Sequence, residues 1–244
     1  MKKAIIIMTV LSLSGCEATT LAESLKEDHL DSGETAVLEP AAAPEHETPK
    51  YEYYDAYAQL EGEVYTSEMT YDYIQFADKD YIYDYAEDIV VGHVISIDKG
   101  SNWNEIAEEY CTPYTLGRFV VLKSFKGDLR EGSVYQYGRQ GGIVTAQEYY
   151  ATYEDKGDKF KRMTGTDPDY IGQFPIHSNK IEVGKTYLMY IVSAQGVKDT
   201  CAIFGQKCGL RELDELFPED YANAKVFNNV MEEWENLADV VPEV

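Results

Sequence analysis

Positive charge is scarce in this 244-residue sequence, where 21 Lys and Arg residues stand against 44 Asp and Glu residues and give a formal net charge of −23 at pH 7. Nucleic-acid binding needs clustered Lys and Arg side chains, so this balance excludes DNA and RNA as partners. It also disfavours docking on anionic lipid headgroups. An acidic surface attracts cations or basic partners, but it says nothing about the fold.

Histidine is rarer still, and no catalytic motif surrounds the four that occur. His29 and His46 lie in a proline-containing stretch, His93 lies in a β-branched run, and His177 stands near Asn179 in a long polar segment. The sequence contains no Gly-x-Ser-x-Gly elbow, no His-Glu-x-x-His pair and no phosphate-binding loop. We therefore expect no enzyme, no cofactor and no metal, and we name His177 and Asn179 as candidate ligand-facing residues.

No segment approaches the 18 consecutive apolar residues that a membrane-spanning helix needs. The mostly apolar run from Ala4 to Leu13 follows two lysines and precedes Ser14-Gly15-Cys16, which is the order of a secretory signal. The residues Leu13 to Cys16 resemble the bacterial lipobox. The resemblance implies a signal peptide over residues 1–15 and a lipid on Cys16. We therefore expect an extracytoplasmic lipoprotein, anchored to the bacterial cell membrane or outer membrane by this lipid.

Three cysteines follow Cys16, and an oxidising compartment allows one disulfide among them. Cys201 and Cys208 are the preferred pair, because the six residues between them include a glycine and can form a turn. A disulfide from Cys111 to either of the two is the alternative. A zinc site is disfavoured because no second close pair of Cys or His residues completes a tetrahedral ligand set.

Composition divides the sequence after the lipidation site into a tether and one globular domain. Residues 16–50 are rich in Glu, Ala, Thr and Pro, which predicts a flexible tether. Residues 51–244 are predicted to form the domain. Ten of the 21 tyrosines lie in residues 51–85, interleaved with acidic residues. Such a segment suits either half-buried packing or a recognition surface.

Strand signals dominate the middle of the sequence. β-Branched and apolar density predicts strands over Ile89–Ile97, Tyr114–Phe125, Ser133–Tyr137 and Thr186–Val192. Alternation places His93 on the same inward face as Ile89, Val91, Ile95 and Ile97, as a hydrogen-bonded core residue. Asp98–Ser101 has the composition of a turn, and residues 126–132 have that of a hairpin loop.

The remaining segments predict a long loop and a terminal helix. Residues 146–185 are polar with few strand signals and form a stretch too long for a plain connection, so a ligand-facing element, if the protein has one, is expected in this long loop. Apolar residues recur at helical spacing from Val226 to Ala238, which predicts an amphipathic helix over about 218–239 that packs on the sheet.

Three segments together resemble a module of uncharacterised bacterial surface lipoproteins and, more distantly, the netrin-like module of the tissue inhibitors of metalloproteinases. They are Asp88–Val94, Val121–Leu129 and Val183–Leu188. The resemblance covers about residues 80–205 and implies an OB-type five-stranded barrel, within a mostly β, α+β domain. Protease inhibition is not implied. Those inhibitors chelate the protease zinc with an amino-terminal cysteine, whereas the first residue of the mature chain would here be the acylated Cys16 on a tether.

These features predict a non-enzymatic, membrane-anchored binding or interaction module whose partner is an unidentified envelope protein or small ligand. An envelope hydrolase that uses carboxylates or His177 is the first alternative. A structural spacer of the cell surface is the second.

Overall fold

A computed structural model describes residues 49–69, 79–152, 157–176, 179–194, 196–205, 207–242 and 244. These residues form a mostly β structure with three short α-helices, which confirms the predicted β-rich α+β class. The strands are β1 (Tyr54–Asp55), β2 (Val64–Met69), β3 (Asp88–Asn104), β4 (Glu109–Lys126), β5 (Val134–Gln140), β6 (Gly142–Thr145), β7 (Tyr170–Pro175), β8 (Thr186–Ser193), β9 (Cys201–Ile203), β10 (Leu210–Glu212), β11 (Lys225–Asn228) and β12 (Glu233–Asn236). The helices are α1 (Lys79–Tyr85), α2 (Ala146–Ala151) and α3 (Gly157–Thr164), with short 3-10 helices at Tyr57–Gln59 and Leu237–Asp239. Within the described ranges, no helix is long and apolar enough to span a membrane.

The largest sheet contains seven strands in the order β1-β3-β4-β5-β9-β8-β10, and β3 also pairs with β8. The β3–β4, β4–β5, β3–β8 and β8–β9 pairs are antiparallel, whereas β5 and β9 run parallel. The four predicted strands are therefore confirmed as β3, β4, β5 and β8. The hairpin loop predicted at residues 126–132 is confirmed to within one residue, because the connection between β4 and β5 spans residues 127–133.

Alternate residues of β3 enter two different apolar clusters, so both faces of this strand are covered. Ile89 and Val91 join a cluster around Leu188 and Tyr190, and Val90 and Val94 join one around Phe119 and Tyr137. Register shifts on either side of Gly92–Val94 change the facing of later residues. Ile97 consequently packs with Val90 and Val94, and its predicted place on the face of Ile89 was wrong.

The turn predicted at Asp98–Ser101 is also wrong, because β3 continues to Asn104. Gly100 has another function here. A Cβ atom at this position would lie 1.8 Å from the carbonyl oxygen of Ile143 in β6. The glycine lets the two backbones approach closely and does not turn the chain.

A second sheet of three strands has the order β2-β7-β6, with β2 parallel to β7 and β6 antiparallel to it. Residues 146–185, which were predicted to form a long loop, instead contain α2, α3 and β7. Thr145 and Glu148 form a reciprocal capping box that starts α2. Phe160 of α3 contacts Tyr65 of β2, with ring centroids 5.0 Å apart, so aromatic packing orders a segment whose composition is polar.

The helix predicted over about 218–239 is wrong, since β11 and β12 form an antiparallel hairpin there. Phe227 and Trp234 are cross-strand partners with ring centroids 5.3 Å apart. Val226 also forms a bridge to Leu213, which extends the pairing of the hairpin to the chain after β10. Strand pairing with a neighbouring segment overrides the helical spacing of the apolar residues.

Candidate functional site

The predicted site residues are not brought together. Cys16 and His177 lie outside the described residues. Asn179 is half-buried, and its Nδ2 donates a hydrogen bond of 3.0 Å to the carbonyl oxygen of Leu210. The side chain of Asn179 therefore holds two backbone segments together.

The disulfide predicted between Cys201 and Cys208 is not present, and the three described cysteines, including Cys111, are free thiols. Cys201 packs on the cluster around Phe119, whereas Cys208 belongs to the cluster around Tyr190. The two cysteines belong to different packing clusters, which explains why short sequence spacing does not pair them. Burial raises the pKa of Cys201 to about 11 and also raises the pKa of Cys111 and Cys208. A raised pKa makes each thiol a poor nucleophile at neutral pH.

His93 is buried with 0% exposure and hydrogen-bonded at both ring nitrogens, as predicted for a core histidine. Its Nδ1 lies 2.9 Å from Thr186 Oγ1, and its Nε2 lies 2.9 Å from Tyr53 Oη. Thr186 donates its single hydroxyl proton to the Leu216 carbonyl. Nδ1–H must therefore donate to Thr186, while Nε2 accepts from Tyr53. Burial lowers the pKa of His93, which favours this neutral form.

The tyrosine-rich segment combines packing with exposure. Tyr51 contacts the rings of His93 and Phe217, and Tyr57 Oη lies 2.9 Å from Thr115 Oγ1. In contrast, Tyr53 and Tyr54 each expose about half of their surface. The described tyrosines at its start therefore attach the chain to the domain across β3 and β4.

A cleft of about 300 Å³ lies between α1 and the chain terminus. Its lining residues are Asp80, Tyr83, Asp84, Asp239, Val240 and Pro242. None of these residues belongs to the 146–185 segment that the sequence predicts to face a ligand. Nowhere in the described ranges do three or more His, Cys, Asp or Glu side chains form a group that could hold a metal ion.

The most exposed aromatic surface of β3 and β4 lies at the tip of their long hairpin. We define the hairpin-tip surface by six residues: Trp103, Glu105, Ile106, Glu108, Glu109 and Tyr110. Trp103 and Tyr110 are cross-strand partners whose rings meet edge to face at 5.1 Å. Trp103 is 40% exposed, Tyr110 45% and Ile106 57%, so the apolar part of this surface faces solvent.

Hydrogen bonds fix the conformation of the tip. The Asn104 side-chain oxygen accepts from the backbone N–H groups of Ile106 at 3.0 Å and Ala107 at 2.9 Å. Tyr114 Oη donates to the Trp103 carbonyl at 2.6 Å. Glu108 closes the turn with a φ of 54°. These contacts define the backbone that presents the exposed rings.

The tip also joins the connection between β8 and β9. The Glu105 N–H donates a hydrogen bond of 2.8 Å to the carbonyl oxygen of Gly196. A side chain at Gly196 would come within 3.3 Å of Asn104. The β3–β4 and β8–β9 connections therefore meet at one end of the large sheet.

Sequence reasoning missed this surface because it ended the strand at Ile97. The useful signal was the symmetry of the segment that follows, in which Trp103 and Tyr110 flank a short acidic stretch. That arrangement is typical of a hairpin with an aromatic cross-strand pair.

No protein-family model, curated protein or solved structure matches this chain.

Proposed function

We propose that this chain is a membrane-anchored extracytoplasmic lipoprotein that acts as a non-enzymatic binding module, with the hairpin-tip surface as its binding site. The convergence of the β3–β4 and β8–β9 connections beside exposed Trp103 and Tyr110 carries this proposal. Exposed aromatic side chains on fixed loops are a common feature of recognition surfaces.

The proposal includes an OB-type five-stranded barrel made of β3, β4, β5, β9 and β8. The pairings β3–β4, β4–β5, β5–β9, β9–β8 and β8–β3 support it, because each strand has two neighbours in this circuit. Within this five-strand circuit, β5–β9 is the one parallel pair, which is consistent with a Greek-key barrel. In OB-type barrels, the loops after the first and fourth strands commonly hold ligands, and here they are the two connections that meet.

The environment of the described polar groups favours binding over hydrolysis. Both ring nitrogens of His93 are engaged by neutral hydroxyl groups, and no carboxylate orients the ring as a base. The three thiols have raised pKa values. Neither His93 nor any of these three thiols is therefore poised as a nucleophile or general base.

Site-specific photocrosslinking in living cells tests the proposal. A photoreactive residue replaces Ile106 in the full-length chain, and the matched control replaces Val134, which is 51% exposed at the start of β5. We expect a discrete crosslinked product from position 106 that is absent from position 134. If the two positions give the same pattern, or if neither gives a product, the proposed binding site is wrong.

A further inference from the structure

The carboxylates of the hairpin-tip surface lack internal cationic partners. Glu105, Glu108 and Glu109 are exposed, and no ion pair of the described chain involves them. Other carboxylates close to basic residues do form pairs, as Glu131 does with Lys123 at 3.1 Å. The negative charge of the tip is thus available to an external cation.

The aromatic rings supply the second component of a cation site. Trp103 and Tyr110 meet edge to face, which leaves ring surface open to solvent beside the three glutamates. A Lys or Arg side chain is attracted to an indole face and also to a nearby carboxylate. The Asn104 side chain accepts from the tip backbone and the Tyr114 hydroxyl donates to it, so the backbone is already fixed and a partner need not order the tip on binding.

We propose that the hairpin-tip surface docks a Lys- and Arg-bearing polypeptide segment, and this inference rests on the proposed binding function. A basic side chain of the partner lies over Trp103, and neighbouring basic side chains face Glu105, Glu108 and Glu109. The apolar stem of such a side chain packs on Ile106.

The negative charge of the tip favours a basic polypeptide over the other classes of partner. Nucleic acid and anionic lipid would be repelled by the tip glutamates. A second copy of the chain would bring the same acidic tip and a net charge of −23. A glycan would stack on Trp103 without requiring the three carboxylates, so it is an outcome that the experiment distinguishes.

Fluorescence anisotropy with a labelled hexalysine peptide tests the inference on the full-length chain. The tip variant carries E105Q, E108Q and E109Q together. A matched control carries E61Q, E215Q and E219Q, which removes the same number of charges from exposed positions elsewhere. A third variant is Trp103→Ala. Equal thermal midpoints for all variants confirm that each remains folded.

We expect the tip variant to weaken hexalysine binding about tenfold and the charge-matched control to weaken it less than about twofold. Trp103→Ala is expected to weaken binding about fivefold. Equal losses in the tip variant and the control would mean attraction by overall charge, which overturns the inference. Unchanged binding in the tip variant would overturn it as well.

The crosslinking experiment at position 106 separates this inference from the proposed function. If the crosslinked product is lost in both the tip variant and Trp103→Ala, the cationic partner is supported. If it is lost only in Trp103→Ala, the binding module stands but the partner is a neutral ligand such as a glycan. If no product forms in the unmodified chain, the proposed function itself fails.

Discussion

His93 illustrates how a single residue can be understood from its partners. The Thr186 hydroxyl gives its proton to the Leu216 carbonyl, so it can only accept from the imidazole. This fixes a neutral tautomer that accepts from Tyr53. The β-branched sequence around His93 predicted a core histidine, whereas its hydrogen-bond partners come from residues 40 and 93 positions away. Local sequence cannot identify such distant partners.

The lowered pKa of His93 predicts a pH dependence of stability. Below an ordinary histidine pKa of about 6.5, the unfolded chain binds a proton that the folded His93 does not. The free energy of unfolding should therefore fall as the pH is lowered from about 7.5 to about 5.5. Urea denaturation across this range measures the slope.

A His93→Gln variant should lose most of this slope, while His46→Gln, in the predicted tether, should keep it. The carboxyl groups of Glu87 and Glu131 do not confound the test. Hydrogen bonds lower their pKa values, so the stability they contribute is lost only as the pH falls below the ordinary range of a carboxyl group. A slope that survives in His93→Gln would contradict the assignment.

At the scale of elements, Gly100 sets the distance between the two sheets. Replacement by alanine would place Cβ 1.8 Å from the Ile143 carbonyl oxygen, so β3 and β6 must separate. We expect Gly100→Ala to lower the free energy of unfolding by about 3 kcal/mol. Gly138→Ala is the control, because its nearest contact would be an ordinary 3.4 Å to Thr200. Equal stability of the two variants by chemical denaturation would refute the close approach.

For the C-terminal segment, a hairpin and a helix predict opposite effects of one glycine substitution on the free energy of unfolding. Glu232 has a φ of 58°, in the region that favours glycine. Glu232→Gly should therefore raise the free energy of unfolding by roughly 0.5 kcal/mol, whereas in a helix it would lower it by about 1 kcal/mol. Glu233→Gly, within β12, should lower it in either structure. Thermal denaturation compares the stability of the two variants with that of the unmodified chain. Equal losses of stability in both variants would favour the helix.

These elements indicate how far the sequence predicts the fold. Density of β-branched residues located four strands, because each lies in a run that is buried on one or both faces. Composition failed to predict the structure where a residue type has two uses. Glycine is common in turns, but Gly100 lies within β3 and permits close packing against β6. It failed again over residues 225–236, where pairing between Phe227 and Trp234 competes with helical spacing. The hairpin-tip surface was not predicted for a related reason, because the predicted strand stopped at Ile97, before Trp103.

At the scale of the whole molecule, the proposed lipid on Cys16 can be tested directly. Cys16→Ser should abolish the diacylglycerol mass increment and move the protein from the detergent phase to the aqueous phase in phase partitioning. Cys111→Ser is the matched control and should remain in the detergent phase. An acylated, membrane-bound Cys16→Ser protein would exclude the proposed anchor.

At the same scale, the net negative charge and the proposed binding surface would have different effects on association with a basic partner. A net charge of −23 raises the local concentration of basic partners around the entire molecule, but it does not select a site. In the proposed interaction, the exposed aromatic rings and the glutamates of the hairpin tip would supply that selection. Long-range attraction would then increase the rate of encounter, and contacts at the tip would determine specificity.

Hydroxyl-radical footprinting of the protein in its own cell envelope tests the central claim most directly. The chain has two tryptophans of similar exposure, Trp103 at 40% and Trp234 at 47%, which serve as site and internal control. We predict that oxidation of Trp103 falls in the envelope relative to the purified protein, while oxidation of Trp234 does not change. Equal oxidation of Trp103 in both preparations would contradict a binding function for the hairpin tip.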